Sequence, residues 1–340
     1  MNVFITGGAG FIGCNLARHH LQRGDQVVVF DNLSRQGTPS NLRWLQGDIG
    51  GSLTCIHGDI RDDAALLEAL PSDADRVYHL AGQVAVTTSV IRPREDFEIN
   101  ALGTFNVLEA TRAKAPGAVV IYSSTNKVYG EMAESEMVLK NNRYAYRRLP
   151  RGIPEEQPLD FHSPYGCSKG AGDQYVRDYA RIYGLNTVVM RQSCIYGLRQ
   201  FGVEDQGWIA HFCIAAVFGR NIHIYGDGKQ VRDVLWVEDL IEAYEAAASR
   251  IDVARGEVFN IGGGPENTLS VWTEFQPHLE RLAGRRIDCA FGPWRPGDQR
   301  IYCSDISKAE RLLSWRPRTR FAEGIDKLYG WIAQNPHLFA

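Results

Sequence analysis

No stretch of this 340-residue chain approaches the roughly 20 consecutive apolar residues that a membrane-spanning helix needs, which argues against a bilayer as a partner. The seven cysteines (14, 55, 167, 194, 213, 289 and 303) form no C-x-x-C pair and no regular spacing. That pattern speaks against a zinc site or a disulfide framework, and for reduced thiols in a cytoplasmic protein. An excess of either charge is missing too. Lys and Arg number 37 against 40 Asp and Glu, a net charge of −3, so nucleic acid is not an expected partner. There is no internal repeat and no low-complexity tract. Met1 runs almost at once into apolar Val3-Phe4-Ile5, without the charged start of a secretion signal.

The chain has 44% hydrophobic and 23% charged residues, ordinary values for a globular protein. Its length suffices for one large domain or two interleaved lobes. Short continuous apolar runs at 2–6 and 26–30 suit strands buried on both faces of a parallel sheet. Between them, Phe11 to Arg23 has helical spacing and stops at Gly24. Further strands are expected at 53–56, 76–80, 118–122, 186–190 and 257–261, and helices at 62–70, 95–114, 165–183 and 237–250. This alternation predicts an α/β fold, a doubly wound parallel sheet of Rossmann type. Two regions break it. Residues 131–163 are polar and rich in Arg and Pro, and are expected to form an inserted loop over the cleft. Arg143, Arg147, Arg148 and Arg151 within it are expected to be solvated. From about 191 the pattern becomes irregular, as for a smaller C-terminal substrate-binding lobe. The expected division is a cofactor domain of residues 1–190, rejoined by 230–262, and a lobe of 191–229 and 263–340.

Thr6-Gly7-Gly8-Ala9-Gly10-Phe11-Ile12-Gly13 follows the first strand and opens the first helix. Gly7, Gly10 and Gly13 fit G-x-x-G-x-x-G, in which glycines allow a tight turn and close approach to a pyrophosphate. Asp31 ends the second strand, 18 residues beyond Gly13, and is placed to accept hydrogen bonds from an adenosine ribose. Its carboxylate would repel a 2′-phosphate, which favours NAD, while nearby Arg35 keeps NADP open. Asp59-Ile60 and Leu80-Ala81-Gly82 end the third and fourth strands, where packing and cofactor contact are both open readings.

Tyr165 and Lys169 are four residues apart, hence on one helix face. A nearby cation lowers a phenol's pKa and makes it a usable proton acceptor. Ser123-Ser124-Thr125 ends another strand at the ligand edge and offers a hydroxyl partner for that phenol.

With these motifs the chain resembles the extended short-chain dehydrogenases/reductases of the nucleotide-sugar epimerase and dehydratase group. The resemblance also rests on His79–Gly82, Asn100-Ala101-Leu102-Gly103-Thr104, Ser123–Gly130, Arg232-Asp233 with Asp239, and Phe259-Asn260-Ile261-Gly262, which span nearly the whole chain. Within the group, Ser123–Gly130, Asp160–Gly170, Asp205–Trp208 and Gly228–Leu235 are most similar to 2-epimerases of CDP-linked deoxyhexoses. Gln192 departs from the histidine expected there.

The resemblance implies NAD as cofactor, a CDP-hexose substrate, a homodimer through the helices at 95–114 and 165–183, and no metal. It implies Thr125, Tyr165 and Lys169 as catalytic residues. Cofactor contacts are implied for Gly7, Gly10, Phe11, Ile12, Asp31, Asn32, Ser34, Arg35, Asp59, Ile60, Leu80, Ala81, Gly82, Gln83, Asn100, Tyr165 and Lys169. Substrate contacts are implied for Thr125, Gln206, Trp208, Tyr225, Arg232, Arg295 and Asp298. Arg232 could instead pair with Asp233 or Asp239, and Trp208 could equally be core. The implied reaction is transient oxidation at C2 to a 2-keto sugar followed by reduction on the other face. A nucleotide-sugar 4-epimerase stays open. A 4,6-dehydratase is disfavoured, since Asn126-Lys127 stands where that reaction needs an acid pair. A catalytically silent nucleotide-binding protein is the remaining reading.

Overall fold

The computed structural model describes residues 1–47, 52–132, 134–295 and 298–339. The chain runs β1 (Asn2–Thr6), α1 (Phe11–Gln22), β2 (Gln26–Asp31), α2 (Thr38–Leu45), β3 (Ser52–His57), α3 (Asp63–Ala69) and β4 (Arg76–His79). Short helices α4 (Val86–Ile91) and α5 (Pro93–Phe97) lead through a π-turn at Glu98–Leu102 into α6 (Gly103–Lys114) and β5 (Val119–Thr125). A hairpin of β6 (Met137–Lys140) and β7 (Arg143–Tyr146) precedes α7 (Ser163–Tyr183) and β8 (Asn186–Gln192). Then come β9 (Cys194–Tyr196), α8 (Trp208–Phe218), β10 (Ile222–Tyr225), β11 (Val231–Trp236), α9 (Val237–Ser249), β12 (Val258–Ile261), β13 (Thr268–Ser270), β14 (Cys289–Gly292) and β15 (Ile301–Tyr302).

Seven parallel strands form the central sheet in the order β12-β8-β5-β4-β1-β2-β3, the expected doubly wound fold. The order reverses between β1 and β4, and in such sheets ligands bind beyond the carboxyl ends of the strands at that point. β1 shows why its run is continuously apolar. Val3 and Ile5 pack with Leu16 of α1 and Leu240 of α9 on one face. Phe4, pointing the other way, packs with Leu66 of α3 and Val107 of α6. α1 ends as expected, with Gly24 left-handed at φ 79°.

The second half has its own core. Phe212 of α8, Trp236 of β11, Phe275 and Leu328 are buried together. β11 pairs with β9, β13 and β15, and β10 pairs with β14.

Three expectations need correction. Residues 131–163 do not cover the cleft: none of the described ones lines it. The β6–β7 hairpin lies against β11 and β15 instead, with Tyr144 N–H donating to the Lys229 carbonyl (3.3 Å) and Tyr146 Oη to the Ile301 carbonyl (3.0 Å). Arg143 is correspondingly tied to Glu274 at 2.8 Å and half-buried, whereas Arg147 and Arg148 face Glu136 at the surface. The helix expected at 95–114 begins at Pro93 and is widened by the π-turn, which carries Asn100 into the interior.

Candidate active site

The carboxyl ends of β1, β4, β5 and β8 open onto a cleft of about 390 Å³ whose other wall comes from α8, β10 and β11. On the sheet side the glycine turn is built for close approach. Gly7 has φ 71°, and a Cβ there would stand 2.6 Å from the Ala81 nitrogen. At Gly13 a Cβ would meet the Gly7 oxygen at 2.2 Å. α1 has no side-chain cap at its N-terminus, and Phe11 and Ile12 on its first turn line the cleft. Free N–H groups and the helix dipole make that end a seat for an anion.

Asp31 accepts from Ala9 N–H (3.0 Å) and Leu33 N–H (2.8 Å), which ties the ribose-binding candidate to the glycine turn. Burial pushes its carboxyl up, against these hydrogen bonds. Asn32 donates to Asp59 at 2.9 Å. The Asp59 carboxyl is held well below its ordinary range, chiefly by the Arg61 guanidinium at 2.7 Å. None of Asp31, Asn32, Ser34, Arg35 and Asp59 lines the cleft itself. Arg35 reaches from this group to donate to Gln206 at 3.2 Å. Ile60 is buried in the core against Gly103, so the packing reading holds for it.

Leu80 and Gly82 line the cleft. Gln83 and Asn100 do not. The Asn100 amide accepts from Gln83 N–H and donates to the Gln83 carbonyl, both at 3.0 Å, so it acts by fixing the Gly82-Gln83 backbone. Asp96 completes this network, accepting from Asn100 (3.1 Å), the Gln83 side chain (3.0 Å) and the Ser168 hydroxyl. Sequence reasoning missed Asp96 and Ser168. The signal was available: Asp96 and Asn100 are one helical turn apart, and Ser168 adjoins Lys169.

Thr125, Tyr165 and Lys169 come together in the cleft. Burial pushes the Tyr165 phenol up to about 12, while the Thr125 hydroxyl and Arg35 pull it down and Asp96 adds to the rise. Burial pushes the Lys169 ammonium down to about 7, opposed by Asp173 and Asp96. Lys169 donates to the Ser123 carbonyl at 2.6 Å and lies 4.3 Å from the centre of the Tyr122 ring. Among the described residues Lys169 makes no hydrogen bond to the phenol, and desolvation is the largest influence on both groups. Of the three hydroxyls 123–125, Ser124 is structural. It donates to Asp173 (2.8 Å), which forms a fully buried ion pair with Arg191 at 2.9 Å. Gln192, also lining the cleft, donates to Tyr244 Oη.

On the lobe side, Gln206, Trp208, Tyr225, Arg232, Arg295 and Asp298 all line the cleft. Arg232 pairs with Asp298 at 2.7 Å and donates to the Gln299 carbonyl at 2.6 Å, rather than pairing with Asp233 or Asp239. Arg295 lies 3.8 Å over the Tyr225 ring and contacts Glu204 and Asp205, each at 3.1 Å. These two carboxylates were also missed by sequence reasoning. Trp208 packs edge-on against Phe212 and Phe275 and forms the cleft floor, so it is both core and lining. Pro296 and Gly297, between Arg295 and Asp298, lie outside the described residues. No cluster of metal-ligating side chains occurs among the described residues. No described helix is long and apolar enough to cross a membrane.

A dinucleotide seat, a phenol with a hydroxyl and an amine beside it, and two arginines opposite can together bind a phosphorylated ligand and exchange a proton with its hydroxyl. The chain belongs to the GDP-mannose 4,6 dehydratase family, whose sequence profile matches residues 4–328. Among particular relatives, it is 47% identical to the CDP-paratose 2-epimerase of Salmonella typhi over 97% of this chain and 99% of that protein. The UDP-glucose 4-epimerase of Thermotoga maritima, solved with UDP-glucose, superposes with a TM-score of 0.84 at 30% identity, covering 99% of this chain and all of that one. The UDP-glucuronic acid 4-epimerase of Bacillus cereus, solved with UDP-glucuronic acid and NAD, gives 0.82 at 28%, covering 98% and 99%.

Proposed function

We propose that the protein is an NAD-dependent epimerase that inverts C2 of a CDP-linked deoxyhexose. One observation carries the reading. Similarity to a CDP-paratose 2-epimerase extends over 97% of the chain, and Thr125, Tyr165 and Lys169 meet in the cleft with Asn126-Lys127 beside them, not an acid pair.

The residues present fit NAD. The turn at Gly7 has no room for a Cβ, the start of α1 offers free N–H groups, and Asp31 disfavours a 2′-phosphate. When bound, NAD supplies the hydride acceptor at the sugar carbon and a positive charge in the cleft. That charge would offset the burial that otherwise keeps the Tyr165 phenol protonated, so that Tyr165 accepts the proton of the C2 hydroxyl while Thr125 positions that hydroxyl. The product is a 2-keto sugar, which turns within the cleft; Tyr165 then returns the proton as the opposite face is reduced. Arg232 and Arg295 hold the diphosphate, since a guanidinium grips phosphate oxygens in pairs. Residues 191–229 and 263–340 make up the nucleotide-sugar lobe, and 1–190 with 230–262 the cofactor domain.

The protein acts as a homodimer. Phe97, Leu102, Phe105, Tyr175, Ile182 and Tyr183 lie exposed on the segment from α5 to α6 and on α7, with Ile182 at 66%. An exposed apolar surface on two neighbouring helices is a docking face for another chain.

The test is incubation of purified protein with CDP-, UDP- and GDP-deoxyhexoses without added nicotinamide, followed by proton NMR. Inversion at C2 of the CDP-sugar supports the reading. Inversion at C4, loss of water, or no turnover of any of them overturns it.

A further inference from the structure

Lys127 stands two residues after Thr125, in the single turn Asn126–Tyr129 at the carboxyl end of β5. Its backbone N–H donates to the Thr125 hydroxyl at 3.2 Å, which fixes where its side chain departs. That side chain enters the cleft between the catalytic group and the lobe, lining it together with Thr125, Arg232 and Asp298. The other cleft lysine, Lys169, is satisfied by the Ser123 carbonyl. Among the described residues the Lys127 ammonium has neither a hydrogen-bond nor an ion-pair partner. Lys127 is half-buried, so its ammonium is open to an anion that enters the cleft.

Its surroundings say what is missing. Burial and the like charge of Arg232 both lower its hold on the proton, and Asp298 opposes them. Asp298 is already engaged by Arg232 at 2.7 Å. Two cations therefore stand near one carboxylate that only Arg232 contacts, and a ligand bearing more than one negative charge would satisfy both.

Resting on the epimerase reading, we propose that Lys127 binds the sugar-linked phosphate of the nucleotide diphosphate and so holds the anomeric end of the sugar against Thr125 and Tyr165. C2 is one bond from the carbon that carries this phosphate, whereas C4 lies across the ring. A phosphate anchor two residues from Thr125 therefore presents C2 to the phenol. No bond to phosphorus is made or broken, and Lys127 moves no proton. It is a positioning residue that decides which carbon reacts.

The test compares calorimetric titrations of CDP and CMP into the purified protein, wild type and Lys127→Met, with Lys127→Gln as a second neutral variant and Lys127→Arg as the charge-preserving one. The neutral variants should weaken CDP binding by roughly 10- to 100-fold and leave CMP within about twofold, and Lys127→Arg should keep most of the CDP affinity. Unchanged CDP affinity in the neutral variants, or a parallel loss of CDP and CMP, overturns the proposal. A wild type that prefers uridine nucleotides overturns only the cytidine assignment, and the same comparison is then read on UDP and UMP. A wild type that inverts C4 overturns the function proposed above, while the diphosphate-to-monophosphate ratio still decides whether Lys127 is a phosphate contact.

Discussion

Lys169 directs its ammonium to the Ser123 carbonyl at 2.6 Å, one strand position from Ser124 and two from Thr125, rather than to the phenol of Tyr165. Buried in this way it holds its proton weakly, with a pKa near 7. The unfolded chain, with an ordinary lysine near 10.4, therefore binds more protons than the folded one between about pH 7 and pH 10. The contribution of Lys169 to stability therefore rises with pH across that window, while the buried thiols of Cys14, Cys213 and Cys303, whose pKa burial raises, contribute in the opposite direction above about pH 8.5. Urea denaturation of the cofactor-free wild type and of Lys169→Met at pH 7 and pH 9.5 should isolate the lysine's share, the variant showing the less positive pH slope. A wild type and variant with equal pH slopes would mean that Lys169 is not held as described.

Tyr165 is the group assigned to move the proton. Tyr165→Phe removes the hydroxyl and keeps the ring that fills the site, so activity should fall by about 10²- to 10⁴-fold with the melting temperature little changed. Steady-state kinetics and a thermal melt check this together. Full activity in the variant would remove Tyr165 as the base.

Gly7→Ala places a methyl 2.6 Å from the Ala81 nitrogen, on a backbone at φ 71°. The left-handed conformation alone costs a side-chain-bearing residue about 1–2 kcal/mol, and the overlap forces the cofactor turn apart. Loss of co-purifying dinucleotide together with a lower unfolding free energy is expected, as read by absorbance and denaturation.

Asp173 and Arg191 form a pair with no solvent access, linked through Arg191 to Tyr129 (3.0 Å) and through Asp173 to Ser124. Asp173→Asn leaves the guanidinium buried without its counter-charge. Destabilisation of about 3–5 kcal/mol is expected, measured by denaturant unfolding. Substituting exposed Arg94, paired with Glu98 at the surface, should cost less than about 1 kcal/mol in the same assay.

The sheet was readable from sequence because its strands are covered on both faces, so Val3-Phe4-Ile5 and Val27–Phe30 appear as unbroken apolar runs. The glycine turn and the Tyr165/Lys169 spacing carried the site for the same reason: short-range geometry fixes them. α8 was not readable. Trp208–Phe218 is apolar nearly all round and buried, so it has no 3.6-residue polar alternation to separate it from a strand. The β6–β7 hairpin gave no signal either, since its strands are partly exposed and are held by long-range contacts such as Arg143 to Glu274. The state of Lys169 and Tyr165 also lay beyond sequence: spacing places two groups on one face but does not state how much water each loses. Asp298 as the partner of Arg232, 66 residues away, is a product of tertiary folding alone.

With NAD bound to supply hydride acceptance and return, the residues of the cleft would invert C2 of a CDP-linked deoxyhexose without net oxidation, Tyr165 moving the hydroxyl proton. The most direct measurement follows a CDP-deoxyhexose carrying deuterium at C2, incubated with purified protein and no added nicotinamide, by proton and deuterium NMR. The expected product is the C2 epimer with deuterium retained at C2. Epimer at C4, or deuterium lost from C2 to solvent, would contradict it.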